Sequence, residues 1–111
     1  MGDRISISFK NEYEESVTLF AHWEGMHLTS LVREYIQELN AELGLPGTKH
    51  MYPMDRREPK TVMVDFVRWL FSGTDNERIK SSWYFGKDEN DGDNSDNGHH
   101  VFDLINGEFV Y

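Results

Sequence analysis

No cysteine occurs in the 111 residues, which removes disulfides and thiolate chemistry together and suits a reducing compartment. No apolar run approaches the roughly 20 residues that a membrane span requires. The opening Met1-Gly2-Asp3-Arg4 does not read as a signal peptide, so a cytoplasmic protein is expected. Basic residues are scarce, 11 Lys and Arg against 20 Asp and Glu, for a formal net charge of −9. That balance argues against nonspecific nucleic-acid binding and against an anionic membrane surface. It permits a basic protein partner, or mimicry of nucleic-acid charge to block a nucleic-acid-binding protein. Also missing are a phosphate-cradling glycine loop, metal-binding Cys/His spacing and a nucleophile elbow.

What is present points to one globular domain over residues 1–111, with 38% apolar and 14% aromatic residues. From Val17 to Gly25 apolar Val17, Leu19, Ala21 and Trp23 alternate with Thr18, Phe20, His22 and Glu24. A strand's period of two then gives one apolar and one mixed face. Ahead of it, Ile5, Ile7 and Phe9 alternate with Ser6 and Ser8, and Asn11 to Glu15 has hairpin-loop length. An antiparallel hairpin follows, with Ile5, Ile7, Phe9, Val17, Leu19, Ala21 and Trp23 as its core positions. Burial of Trp23 predicts a loss of about 3–5 kcal/mol on truncation to Ala.

The period then changes. Leu28, Leu31, Val32, Tyr35, Ile36, Leu39 and Leu43 predict an amphipathic helix over 29–43. Thr29 or Ser30 is its expected N-cap, and Gly44 with Pro46 its stop. A second helix is expected to open at Pro59 and close at Gly73, with Val62, Met63, Phe66, Val67, Leu70 and Phe71 on a face widened by Trp69. Strands follow at 79–86 and 99–105, and Asn106-Gly107 signals a final hairpin to Glu108–Tyr111. The order ββααβββ predicts an α+β fold, an antiparallel sheet of about five strands with two helices on one face.

Leu19-Phe20-Ala21-His22-Trp23-Glu24-Gly25, with Met1-Gly-Asp-Arg ahead of it and a glycine-bearing third strand beyond, resembles a group of short uncharacterised phage and prophage proteins. In that group an aromatic precedes a His-Trp-x-Gly stretch, and Arg57-Glu58-Pro59 and Val101-Phe102-Asp103-Leu104 occupy the places of its second-helix start and last Val-Asp strand. The connector before the second helix is longer than the group's, and the loop after the third strand richer in Asp and Asn. The resemblance lends no catalytic residue; it implies a small accessory gene product that acts on a host protein.

That loop, Lys87 to Gly98, has five acids against one lysine and no apolar residue. Two readings of it stand side by side. It is a long, mobile, solvated connection, or Asp88, Asp91, Asp93 and Asp96 supply oxygens to calcium. Asp93-x-Ser95-x-Asn97-Gly98 matches half an EF-hand loop, but Leu104 stands where the bidentate Glu belongs. Adjacent His99 and His100 must point to opposite faces of a strand and cannot easily share a metal. A Ser81–His22–Asp103 triad has no support in the spacing.

The leading expectation is a small, acidic, noncatalytic protein-interaction module with an unidentified protein partner, and the aromatic surplus is compatible with a homodimer. Alternatives are a calcium-binding module using the loop at 88–97, and an enzyme or nucleotide pocket around His22, Glu24 and Asp103. The calcium reading has a direct check: millimolar calcium should shift the amides of Asp88 to Asn97 saturably and raise Tm. Asp91→Asn with Asp93→Asn should abolish both effects, whereas linear shifts that sodium reproduces would mean counterion screening.

Overall fold

The computed structural model describes residues 3–42, 58–72 and 83–110. In chain order these form β1 (Ile5–Lys10), β2 (Thr18–Ala21), α1 (His27–Glu42), α2 (Pro59–Phe71), β3 (Trp83–Gly86), β4 (His99–Asp103) and β5 (Glu108–Phe109). The strands make one five-stranded sheet in the order β3-β2-β1-β4-β5. The class is α+β. The sheet is mixed, which corrects the expectation of an antiparallel one. β1 pairs antiparallel with β2 (Ile7 opposite Leu19) but parallel with β4 (Ser6 opposite His99).

That parallel pairing has a large consequence. β3 is antiparallel to β2 and β2 to β1, so β3 and β4 run the same way with two strands between them. Parallel strands need a crossover of about a dozen residues or more. The twelve residues from Lys87 to Gly98 supply it, crossing three strand spacings, about 14 Å.

Both helices pack on the other face of the sheet. Ile5, Ile7 and Phe9 of β1 and Leu19 and Ala21 of β2 meet Leu28, Leu31, Val32, Tyr35, Ile36 and Leu39 of α1 and Val62, Met63, Phe66 and Leu70 of α2. The Phe9 ring lies edge-on to Phe66 at 5.6 Å and tilted against Tyr35 at 6.5 Å, so one strand residue ties both helices to the sheet. Asp65, fully buried, accepts the Tyr35 hydroxyl at 2.7 Å and the Arg68 guanidinium at 2.7 Å, which satisfies a carboxylate that would otherwise be costly to bury.

Local boundaries depart from expectation in ways that have physical causes. α1 begins at His27, and Thr29 lies inside its first turn, donating its hydroxyl to the Met26 carbonyl at 2.7 Å instead of capping. The chain turns into α1 at Gly25, which has φ of +56° and donates its N–H to the Asp3 carbonyl. A Cβ there would be strained by that φ and would sit 3.1 Å from the Asp3 Cβ. α2 does open at Pro59, with Glu58 as N-cap and the Val62 N–H on the Glu58 carbonyl. It is capped by Ser72 in an extended conformation; Gly44, Pro46, Gly73 and the strand start expected at 79–82 lie outside the described residues.

β2 is shorter than the alternation suggested. It stops at Ala21, so Trp23 leaves the sheet and stacks on His22, half exposed at 50%, while Val17 precedes the strand and is 45% exposed. Neither is a core position. Phe20, on the nominally mixed face, is completely buried. Its ring stacks on Tyr84 of β3 at 4.9 Å and 5°, and the crossover covers the pair at Gly92. A Cβ on Gly92 would come within 2.8 Å of both rings.

The two aromatics therefore exchange the roles that alternation assigns them. Phe20→Ala should destabilise the fold by about 3–5 kcal/mol, and Trp23→Ala by less than about 1 kcal/mol, as for a surface change. Urea unfolding of the two variants tests the order.

Candidate functional site

The chemistry-bearing side chains gather on the sheet face away from the helices, under the crossover. β1 turns Ser6 and Ser8 to that face, and the parallel register sets His99 beside Ser6. The His99 side chain is only 8% exposed. Its Nδ1 lies 2.7 Å from the Ser6 Oγ and its Nε2 3.3 Å from the Ser8 Oγ. The β1–β2 turn brings in Glu15. Asn11 Oδ1 accepts the N–H groups of Tyr13 and Glu14, and Glu15 then bridges back to Lys10. The Glu15 carboxylate accepts the Ser8 hydroxyl at 2.5 Å. From the crossover, Asn94 donates its side-chain amide to the Ser6 Oγ at 2.8 Å and to the Glu89 carbonyl at 3.1 Å.

These contacts specify the protons. The Glu15 carboxylate only accepts, so Ser8 gives it its hydroxyl proton and takes an N–H from His99 Nε2. In the neutral ring, which burial favours, Nδ1 is then the acceptor, and Ser6 donates to it while accepting from Asn94. The result is one directed chain, Asn94 to Ser6 to His99 to Ser8 to Glu15, with the ring neutral and protonated at Nε2.

Above His99 lies an open cleft of about 590 Å³ lined by Glu15, Asp88, Glu89, Asn90, His99 and Val101. Glu15 and Glu89 place carboxylate oxygens 3.8 and 3.9 Å from His99 Nε2. Burial of the ring disfavours the imidazolium and holds the His99 pKa below its ordinary 6.5, against the opposite pull of Glu89 and Glu15. A second concavity, about 510 Å³ between α1 and the β4–β5 hairpin, carries charges of both signs, Arg33 and Glu108, with the guanidinium 5.1 Å above the Phe109 ring.

The four loop carboxylates are dispersed among local partners. Asp88 accepts the Asn90 N–H and Asp91 the Lys87 N–H. Asp96 accepts the Arg4 N–H at 2.9 Å, and Asp93 pairs with the Arg4 guanidinium at 3.0 Å. The Ser95 hydroxyl and N–H, with Arg4 beyond them, hold the Asp93 pKa below the ordinary carboxylate value. Among the described residues no three His, Asp, Glu or Cys side chains form a group that could hold a metal ion, and no helix is long and apolar enough to cross a membrane.

His22 and Asp103 of the expected pocket do not come together. His22 follows Ala21, whose β1 partner is Ile5, whereas Asp103 pairs with Lys10 at the other end of β1. Five residues of strand separate those ends by about 16 Å. Among the described residues, the cavity beside His22, shared with Arg4, Ala21, Tyr84 and Asp93, measures about 20 Å³, about the room a water needs. Asp103 serves the β4–β5 turn, accepting the N–H groups of Ile105 and Asn106, and these bonds lower its pKa. Ser81 lies outside the described residues. Ser6 and Ser8, whose hydroxyls meet His99, are fully buried.

No family model, curated protein or solved structure matches this chain.

The His99 environment sets a sign for stability against pH. The unfolded chain binds a proton at this ring more readily than the folded one, so the His99 contribution is complete above 6.5 and is lost as pH falls through the lowered folded value. Asp93 and Asp103 act in a separate, more acidic window, below their ordinary 3.8. Urea midpoints measured from pH 8 down to about 5 should therefore decline, and His99→Gln should flatten that part of the curve.

Proposed function

We propose that this protein is a noncatalytic binding module that takes a basic side chain of a protein partner into the acidic cleft above His99. The observation that carries the reading is the distribution of negative charge around the crossover. Arg4 compensates Asp93 and Asp96, whereas Glu15, Asp88 and Glu89 converge on one cleft with a neutral imidazole at its floor. A guanidinium or ammonium group complements such a wall, and fields of one sign speed the encounter of oppositely charged partners. An accessory role on a host protein, as the phage and prophage resemblance implies, and a cytoplasmic setting belong to the same proposal.

An NMR titration with a short arginine-containing peptide tests it. Saturable shifts at Glu15, Asp88, Glu89 and Asn90 are expected, weakening as salt rises. Glu15→Gln with Glu89→Gln should reduce affinity by about tenfold or more. Shifts that are linear, or that survive both substitutions, would remove the cleft from the account. Saturation by calcium at Asp88 to Asn97 in place of the peptide would favour the cation-binding reading instead.

A further inference from the structure

We propose that His99 is a pH-sensitive latch for the crossover: in its neutral form it holds Asn94 against β1 through Ser6, and when it is protonated Asn94 lets go. The inference concerns the fold itself and does not depend on what occupies the cleft.

The direction of the hydrogen bonds makes the contact depend on the charge of the ring. With the ring neutral, every member of the chain from Asn94 to Glu15 has the proton or lone pair that its neighbour needs. Protonation converts Nδ1 from acceptor to donor. Ser6 must then accept from Nδ1, and it already accepts from the Asn94 amide at 2.8 Å, so its own proton loses its acceptor. Ser6 is fully buried, where a hydroxyl proton without an acceptor is expensive. Turning the Asn94 amide to receive that proton would set its Oδ1 against the Glu89 carbonyl, which the amide nitrogen now meets at 3.1 Å. The economical outcome is withdrawal of Asn94 from Ser6, which admits a water to accept the stranded hydroxyl proton.

The charged groups around the ring act in the same place. Glu15 from the β1–β2 turn and Glu89 from the crossover face Nε2, Asp88 lines the cleft above, and His100 adjoins on the same strand. β1 presents only the hydroxyls of Ser6 and Ser8 to the ring. A positive ring draws the carboxylate of Glu89 inward while the Asn94 contact fails, so the segment from Glu89 to Asn94 is re-seated. Downstream, the turn that ends the crossover depends on the same segment: Gly98 donates its N–H to the Asn94 carbonyl at 2.7 Å, and Asn97 donates to the Arg4 carbonyl at 2.9 Å.

Amide hydrogen exchange of Asn97 and Gly98, followed alongside the His99 ring resonances from pH 8 to 5, tests the latch. After correction for intrinsic exchange, their protection should fall by about fivefold or more with the same midpoint as the ring. Long-range proton–nitrogen spectra at neutral pH should show the Nε2–H tautomer. His99→Gln keeps one donor toward Ser8 and one acceptor toward Ser6 but does not titrate, so protection should stay high and level with pH. Ser6→Ala, a small change, should lower protection already at pH 8 and remove its pH dependence while His99 still titrates. His22→Gln, which alters the histidine beside Asp93, should leave the wild-type profile in place. Protection that titrates unchanged in His99→Gln, protection that stays flat while His99 protonates, or an Nδ1–H tautomer would each overturn the proposal.

Discussion

The parallel pairing of β1 with β4 is the constraint on which the rest of this structure depends. It obliges the chain to cross one face of the sheet between β3 and β4, and that face can then no longer be a solvated one. Ile5 to Phe9 of β1 are buried on both sides. The side chains on the crossover side must therefore either pack or find hydrogen-bond partners. Phe20 and Tyr84 take the first course, stacked beneath Gly92. Ser6, Ser8 and His99 take the second, and their hydroxyls and ring nitrogens are paired.

The two faces of β1 are thus held by different forces. On the helix side the stabilisation is burial and ring packing, with Tyr35 and Phe66 each packed against both Phe9 and Trp69. On the crossover side it is largely directional. The Arg4 N–H on Asp96, the Asn97 N–H on the Arg4 carbonyl, the Ser6 N–H on the Gly98 carbonyl and the Asp93 N–H on the Tyr84 hydroxyl lace the loop to the sheet. Such bonds contribute about 0.5–1.5 kcal/mol each, and the partly exposed Arg4 ion pairs less, about 0–1 kcal/mol. A loop held this way is fixed by geometry and remains sensitive to protonation, because its anchors are polar.

Much of the framework was legible in the sequence because it is local. The alternation of Ile5, Ile7 and Phe9, the helical period from Leu28 to Leu39, the proline at the start of α2 and the Asn106-Gly107 turn each act within a few residues. What escaped was whatever depends on distant chain segments. Alternation put Phe20 on the mixed face but could not say that this face would be covered, and it placed Trp23 in the core although β2 ends at Ala21. The parallel register of Ser6 with His99 spans 93 residues, and no short pattern announces it. Two serines alternating with large apolar residues on a buried strand were the one available hint that polar partners lie opposite them.

The electrostatics follow from the same topology. The crossover carries five acids, and folding it back along the sheet spends Asp93 and Asp96 on Arg4 while leaving Asp88 and Glu89 at the cleft mouth with Glu15. Glu15 and the pair Asp88 and Glu89, distant in sequence, are thereby brought to one cleft. All of this requires the crossover to lie on the sheet, and the proton contacts of Gly92 measure that most directly. Nuclear Overhauser contacts between the Gly92 α-protons and the rings of Phe20 and Tyr84, with those protons shifted by the ring currents, are the predicted result; random-coil shifts at Gly92 with no contact to either ring would contradict it.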